Sequence, residues 1–206
     1  MTLGVTGDVG SGKSFVLRWM AEHGAAVLDA DLVVRRLLEG HAPTVARVVE
    51  RFGAGVRGAS GAVDRAALAD VVFADAAALA DLERLVHPPV RAEAEAWLAA
   101  VPDGTPVAAV EAVKLVESGM HQTMDGVCLV VCDRAQRRRR LLDRGWLPEE
   151  IERRFAASAP LLPKLRVARL IIDNSGSQLA TEAQLARAWR HLVGCPPEEC
   201  DRACMG

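Results

Sequence analysis

The sequence predicts an α/β fold, a parallel β-sheet flanked by helices, and three observations predict it. A short apolar stretch, Leu3 to Thr6, enters a glycine-rich turn and then a helix-like segment from about Lys13 to His23, which Gly24 stops. A second apolar stretch, Ala25 to Asp29, follows at once, and strand, loop, helix and strand in so short a span make a βαβ unit with a right-handed crossover. Three later strand candidates, Pro106 to Glu111, Val127 to Asp133 and Leu170 to Asp173, each end in an acidic residue, as Asp29 ends the second. Open α/β sheets gather their sites at such carboxyl ends.

Composition agrees with a folded domain. The 206 residues can bury a sizeable core, and 50% hydrophobic with 25% charged residues excludes a disordered or fibrous chain. A net charge of −2 supplies no general field for nucleic acid, so no nucleic-acid partner is expected. No charged-then-apolar leader and no 18-residue apolar run is seen, which predicts a cytoplasmic protein without a membrane partner. Among 25 basic residues only Lys13, Lys114 and Lys164 are lysines, so each merits attention, because a site needing a point charge cannot always accept a planar fork. Of five cysteines, Cys128 and Cys132 read as small buried hydrophobes, while Cys195, Cys200 and Cys204 crowd an irregular tail with no zinc spacing.

Between the second and third strands the apolar spacing predicts helices over Ala30 to Glu39, Thr44 to Phe52, Asp64 to Val72 and Asp75 to Ala100, with Gly53 to Gly61 as a loop. Pro88-Pro89 is expected to break the last of these helices. A further helical stretch, Arg134 to Arg169, carries ten arginines. The last strand turns through Asn174-Ser175-Gly176.

The turn after the first strand reads Gly7-Asp8-Val9-Gly10-Ser11-Gly12-Lys13-Ser14, which fits the phosphate-binding P-loop and lies where that loop must lie, between strand and helix. Glycines let backbone N–H groups turn inward around an anion, and the helix N-terminus adds partial positive charge. Lys13 then reaches the β- and γ-phosphates, and the Ser14 hydroxyl ligates Mg²⁺. The chain is therefore expected to bind a nucleoside triphosphate. A GTPase needs a guanine-reading Asn-Lys-x-Asp segment, and the one asparagine, Asn174, has no lysine after it. Glu111, ending the third strand, is able to serve Mg²⁺ through water, but nothing else suggests a motor or transporter. A small-molecule kinase remains, with an acceptor-binding helical insertion and an Arg-rich lid.

Asp29-Ala30-Asp31 follows the second strand. A hydroxyl attacking a γ-phosphate benefits from a carboxylate that holds it and takes its proton. Either aspartate can instead cap the helix that follows, a task Asp performs well.

Taken together, the P-loop, the VLDAD segment about 15 residues later, the His87-Pro88 step and the closing IIDNSG make the chain resemble the dephospho-coenzyme A kinase family from Leu3 to about Val193. The resemblance implies a P-loop NTPase-type sheet and phosphorylation of the ribose 3′-hydroxyl of dephospho-coenzyme A by ATP with Mg²⁺, the last step of coenzyme A synthesis. It also implies one kinase domain over 1–193, with a nucleotide-binding core at about 1–35, 105–133 and 167–193. A coenzyme-binding insertion would span about 36–104, a lid about 134–166, and an irregular tail 194–206. Gly10, Ser11, Gly12, Lys13, Ser14 and Phe15 would hold the ATP phosphates, with Asn174 near the adenine. Asp31 would be the base, His87 and Pro88 would lie beside the coenzyme, and Arg139 or Arg140 would open the lid toward the transferring phosphate. On a helix only one or two members of the Arg137–Arg140 run can face a cleft.

The chain departs from the family pattern at Phe15, where a small hydroxylic residue is usual, and at Val113-Lys114, where an acceptor-wall segment loses its proline. Lys114 is a candidate for the substrate's pyrophosphate or for a pair with Glu117. A monomer or small homo-oligomer is expected. The alternatives are a nucleoside or nucleotide kinase of similar layout, and an ATP-binding regulatory homologue without turnover.

Overall fold

In the computed structural model, which describes residues 1–194, five strands form one sheet: β1 (Thr2–Thr6), β2 (Ala26–Asp29), β3 (Ala108–Glu111), β4 (Gly126–Val131) and β5 (Leu170–Asp173). Their order is β2-β3-β1-β4-β5, and β1 pairs in parallel with β3 and β4, as β4 does with β5. All five predicted strands form. The loop after β1 therefore leaves from the middle of the sheet, between the ends of β3 and β4.

The chain divides into two compact units, Met1–Leu28 with the described residues from Val101 onward, and Asp29–Ala100. In the first, the helices α1 (Lys13–Glu22) and α9 (Gln178–Val193) accompany the sheet. Leu3 and Val5 of β1 are fully buried in a cluster with Val16, Met20, Cys128 and Leu185. Cys128 is a small core side chain, as expected, and burial pushes its thiol pKa up to about 12. Cys132 differs from the expectation in being only half-buried, because it sits past the end of β4.

Three short helices follow β4: α6 (Arg134–Leu142), α7 (Pro148–Ala156) and α8 (Leu161–Val167). Glu152 of α7 accepts from Arg134 at 2.6 Å and Arg138 at 3.2 Å of α6, while the Arg137 guanidinium lies 4.5 Å from the Phe155 ring centroid. These contacts, with Leu141 and Ile151 buried, join α6 to α7.

The second unit holds α2 (Ala30–Gly40), α3 (Ala42–Phe52), α4 (Arg65–Ala74) and α5 (Ala76–Ala99) around its own core, including Leu38, Val48, Val56, Leu68 and Val86. One expectation fails here. Pro88 and Pro89 do not break α5, which runs through both. The prolines remove two hydrogen bonds to the preceding turn. Val86 and Val90, one on each side, are both buried, so packing holds the two halves of the helix in line.

The tail cysteines Cys195, Cys200 and Cys204 lie outside the described residues.

Candidate active site

The loop from Gly7 to Gly12 joins β1 to α1, and its shape depends on glycine at two points. Gly12 takes φ 94° and ψ 25° as the N-cap of α1, and a Cβ there would run into the Asn174 amide. Gly10, at φ 79°, lies under α6, where a Cβ would come 3.1 Å from the Arg137 carbonyl and 3.2 Å from the Leu141 side chain. No side chain caps the N-terminus of α1, so its partial positive charge is left for a bound anion. The Ser11 hydroxyl, in a residue 1% exposed, has no hydrogen-bond partner within the described residues. An uncapped helix start, glycines where a Cβ would clash and an orphaned buried hydroxyl fit a phosphate group.

Lys13 is 6% exposed, and its ammonium reaches Glu111 Oε1 at 3.6 Å and donates to the Asp8 carbonyl at 3.4 Å. The two groups meet because β1 and β3 are neighbours in register, Val5 beside Glu111. Ser14 is exposed at the first turn of α1, and Glu111 supplies a buried carboxylate in the same unit. Phe15 is half-buried against the core, with the Arg18 guanidinium 5.8 Å from its ring centroid.

Asn174, 5% exposed, spends its side chain inside the protein. Its amide donates to the Ser11 carbonyl at 2.8 Å, and its oxygen accepts from the Thr181 hydroxyl at 3.0 Å. Arg140 donates to the Asn174 carbonyl at 2.9 Å and the Ser11 carbonyl at 3.4 Å, so it too braces the loop. Arg139 is exposed on the other side of α6.

The sequence did not single out Arg137, Asp8 or the Lys164 contacts. Arg137 donates to the Val9 carbonyl at 2.9 Å and pairs with Asp8 Oδ2 at 2.8 Å. Asp8 Oδ1 meets Lys164 at 3.6 Å, and Lys164 also pairs with Glu117 at 3.4 Å. One signal for this cluster was available, an acidic residue inside a loop built for anions.

In the second unit Asp29 is the N-cap of α2, accepting from Asp31 N–H at 2.8 Å and Leu32 N–H at 3.2 Å. Asp31 lies exposed in the first turn of that helix. His87 is half-buried and Pro88 exposed, both within α5. Lys114 is half-buried in the turn-rich segment after β3.

A central parallel sheet, a glycine-lined phosphate loop and a buried lysine at the start of α1 paired with the carboxylate that ends β3 define a P-loop kinase. The chain belongs to the dephospho-CoA kinase family, which it matches over residues 1–180. A dephospho-CoA kinase of Symbiobacterium thermophilum is 41% identical over 93% of this chain and 81% of its own length. Another, of Thermobifida fusca, is 37% identical over 93% and 96%. Among solved structures, TT1252 from Thermus thermophilus superposes with a TM-score of 0.77 at 33% identity, covering 94% of this chain and 98% of its own. A shikimate kinase from Acinetobacter baumannii, at 13% identity and a TM-score of 0.54 over 93% of this chain and 92% of its own, shares the fold. Family membership makes the chain an ATP-using kinase with a small-molecule acceptor. No helix among the described residues is long and apolar enough to cross a membrane.

Proposed function

We propose that this chain transfers the γ-phosphoryl group of ATP to the ribose 3′-hydroxyl of dephospho-coenzyme A, in the cytoplasm. The observation that carries the reading is the buried Lys13 ammonium, held at 3.6 Å from Glu111 beneath an uncapped helix N-terminus. Fixed donors at the place where charge develops need no reorganisation during transfer.

The backbone of Gly10 to Ser14 cradles the donor phosphates, and Lys13 offsets the negative charge on the group in transit. Glu111 and the Asp8 carbonyl hold the lysine side chain in place. The Ser14 hydroxyl and the Glu111 carboxylate would hold Mg²⁺, which would offset negative charge on the phosphates. Asn174 and Arg140 keep the Ser11 carbonyl fixed and so preserve the curvature of the loop.

Asp31 orients the acceptor hydroxyl and takes its proton. This role fits its place in the first turn of the helix that follows β2, with capping done by Asp29. His87, Pro88 and Lys114 are assigned to the coenzyme, and α6 to α8 to the lid. The lid bears a positive face from which Arg139 is open to solvent and Arg140 is tied to the loop. Lid closure over the site excludes water from the reaction.

A coupled ATP assay offering dephospho-coenzyme A against nucleosides and nucleoside monophosphates tests the reading. Turnover with dephospho-coenzyme A alone is expected. Preference for a nucleoside or monophosphate overturns the acceptor assignment.

A further inference from the structure

Lys164 is one of three lysines in an arginine-rich chain, and the structure leaves it 1% exposed. Its ammonium donates to the Val113 carbonyl at 3.2 Å and pairs with Asp8 at 3.6 Å and Glu117 at 3.4 Å. Asp8 belongs to the phosphate loop, Val113 and Glu117 to the segment after β3, and Lys164 to α8, so a single charge joins three separate stretches of chain. The Thr6 hydroxyl, at the end of β1, donates to the same Val113 carbonyl at 3.2 Å.

The chemistry of this junction requires a lysine. A buried ammonium is costly unless it is paired, and here it donates to one carbonyl and lies within ion-pair distance of two carboxylates. A guanidinium is a flat, wider fork and does not suit three acceptors arranged around a point. Asp8 gives its other carboxylate oxygen to Arg137 of α6 at 2.8 Å. The acidic charge inside an anion-binding loop, which alone would repel phosphate, is thereby balanced by two cations from two lid helices.

We propose that Lys164 is a positioning residue for phosphoryl transfer, holding the phosphate loop at Asp8 and the segment after β3 at Val113 and Glu117 on one ammonium. Glu111, which pairs with Lys13, ends β3 immediately before that segment. The register between loop and segment therefore sets where the Lys13 ammonium stands. This inference rests on the kinase reading above.

The test measures kcat and both KM values, the melting temperature, and the Kd of a fluorescent ATP analogue without acceptor. It compares wild type with Lys164→Met, Lys164→Arg, Glu117→Gln and the Lys164→Met/Glu117→Gln double variant. Lys164→Met is expected to lower kcat about 100-fold while raising the analogue's Kd less than about fivefold, the split expected when geometry rather than binding is lost. The double variant, which also removes the Glu117 charge, is expected to stay as low in kcat as Lys164→Met at whatever melting temperature it shows. Recovery of kcat together with melting temperature, or an unchanged kcat per folded Lys164→Met molecule, overturns the proposal.

Should Lys164→Met fail to fold, Lys164→Arg and Glu117→Gln carry the test. Each is expected to lose about tenfold in kcat, and wild-type turnover in both overturns the proposal. If wild type does not turn over dephospho-coenzyme A, the acceptor reading fails by itself. Lys164 is then judged on the slow transfer from ATP to water, where an unchanged rate in the variants overturns it.

Discussion

Asp29 accepts the backbone N–H of Asp31 at 2.8 Å, so the two aspartates of the Asp-Ala-Asp segment have different tasks. The first closes the N-terminus of α2 with its carboxylate, which also takes the Leu32 N–H at 3.2 Å. The second stands exposed in the first helical turn.

Replacing these residues is expected to separate chemistry from stability. Asp31→Asn collapses kcat by at least about 100-fold and leaves ATP affinity within about threefold, because a general base contributes in that range. Asp29→Ala lowers stability by about 1 kcal/mol through the lost cap and keeps ATP binding. Steady-state kinetics paired with urea denaturation check both. Retained turnover in Asp31→Asn would reassign the base.

Gly12→Ala is expected to cost about 1–2 kcal/mol from the left-handed backbone alone. The clash with the Asn174 amide adds to this and shifts the loop. Nucleotide affinity should fall more than stability accounts for, which isothermal titration with ATP read against the melting curve tests. Wild-type affinity in a folded Gly12→Ala protein would show that the cradle tolerates a side chain.

The two arginine candidates, Arg139 and Arg140, are expected to behave differently. Arg140→Ala removes contacts to the Ser11 and Asn174 carbonyls and raises the Kd for ATP about tenfold, roughly the worth of one charged hydrogen bond. Arg139→Ala, on the exposed side of α6, leaves ATP affinity within about twofold, and any loss it shows falls on kcat. An equal effect of both on ATP affinity would remove the distinction.

Hydrogen bonds from Arg134 and then Arg138 hold the Glu152 carboxyl below its ordinary value of 4.5. A group whose pKa is depressed by folding stabilises above its unfolded value and loses that contribution as pH falls through the lower folded value. The link between α6 and α7 should therefore be intact at neutral pH and weaken as pH drops below about 4.5, modestly, because the pair is exposed and screened. Melting temperatures of wild type and Glu152→Gln should differ at pH 7 and converge as pH falls through the lower folded value. A difference that persists at low pH would point to another cause.

Much of this protein was legible in the chain itself. The five strands, the phosphate loop and the four helices of the second unit are signalled by adjacent residues: apolar runs, glycines and helical spacing. The Pro88-Pro89 step was misleading, because local chemistry forbids what burial of Val86 and Val90 on either side enforces. The sequence also left open which aspartate caps α2, and the hydrogen bonds from Asp31 and Leu32 assign that task to Asp29.

The sequence alone determined which stretch of chain forms the glycine-rich loop between β1 and α1. Only the tertiary structure decided how that loop is held. Asp8 meets Arg137 across 129 residues, Asn174 meets Ser11 across 163, and Lys164 gathers three segments on one charge. A loop's glycines act through their own backbone torsions and can be read in order along the chain. A buried charge is settled by whichever opposite charges the fold brings within a few ångströms, and chain order carries no record of that distance.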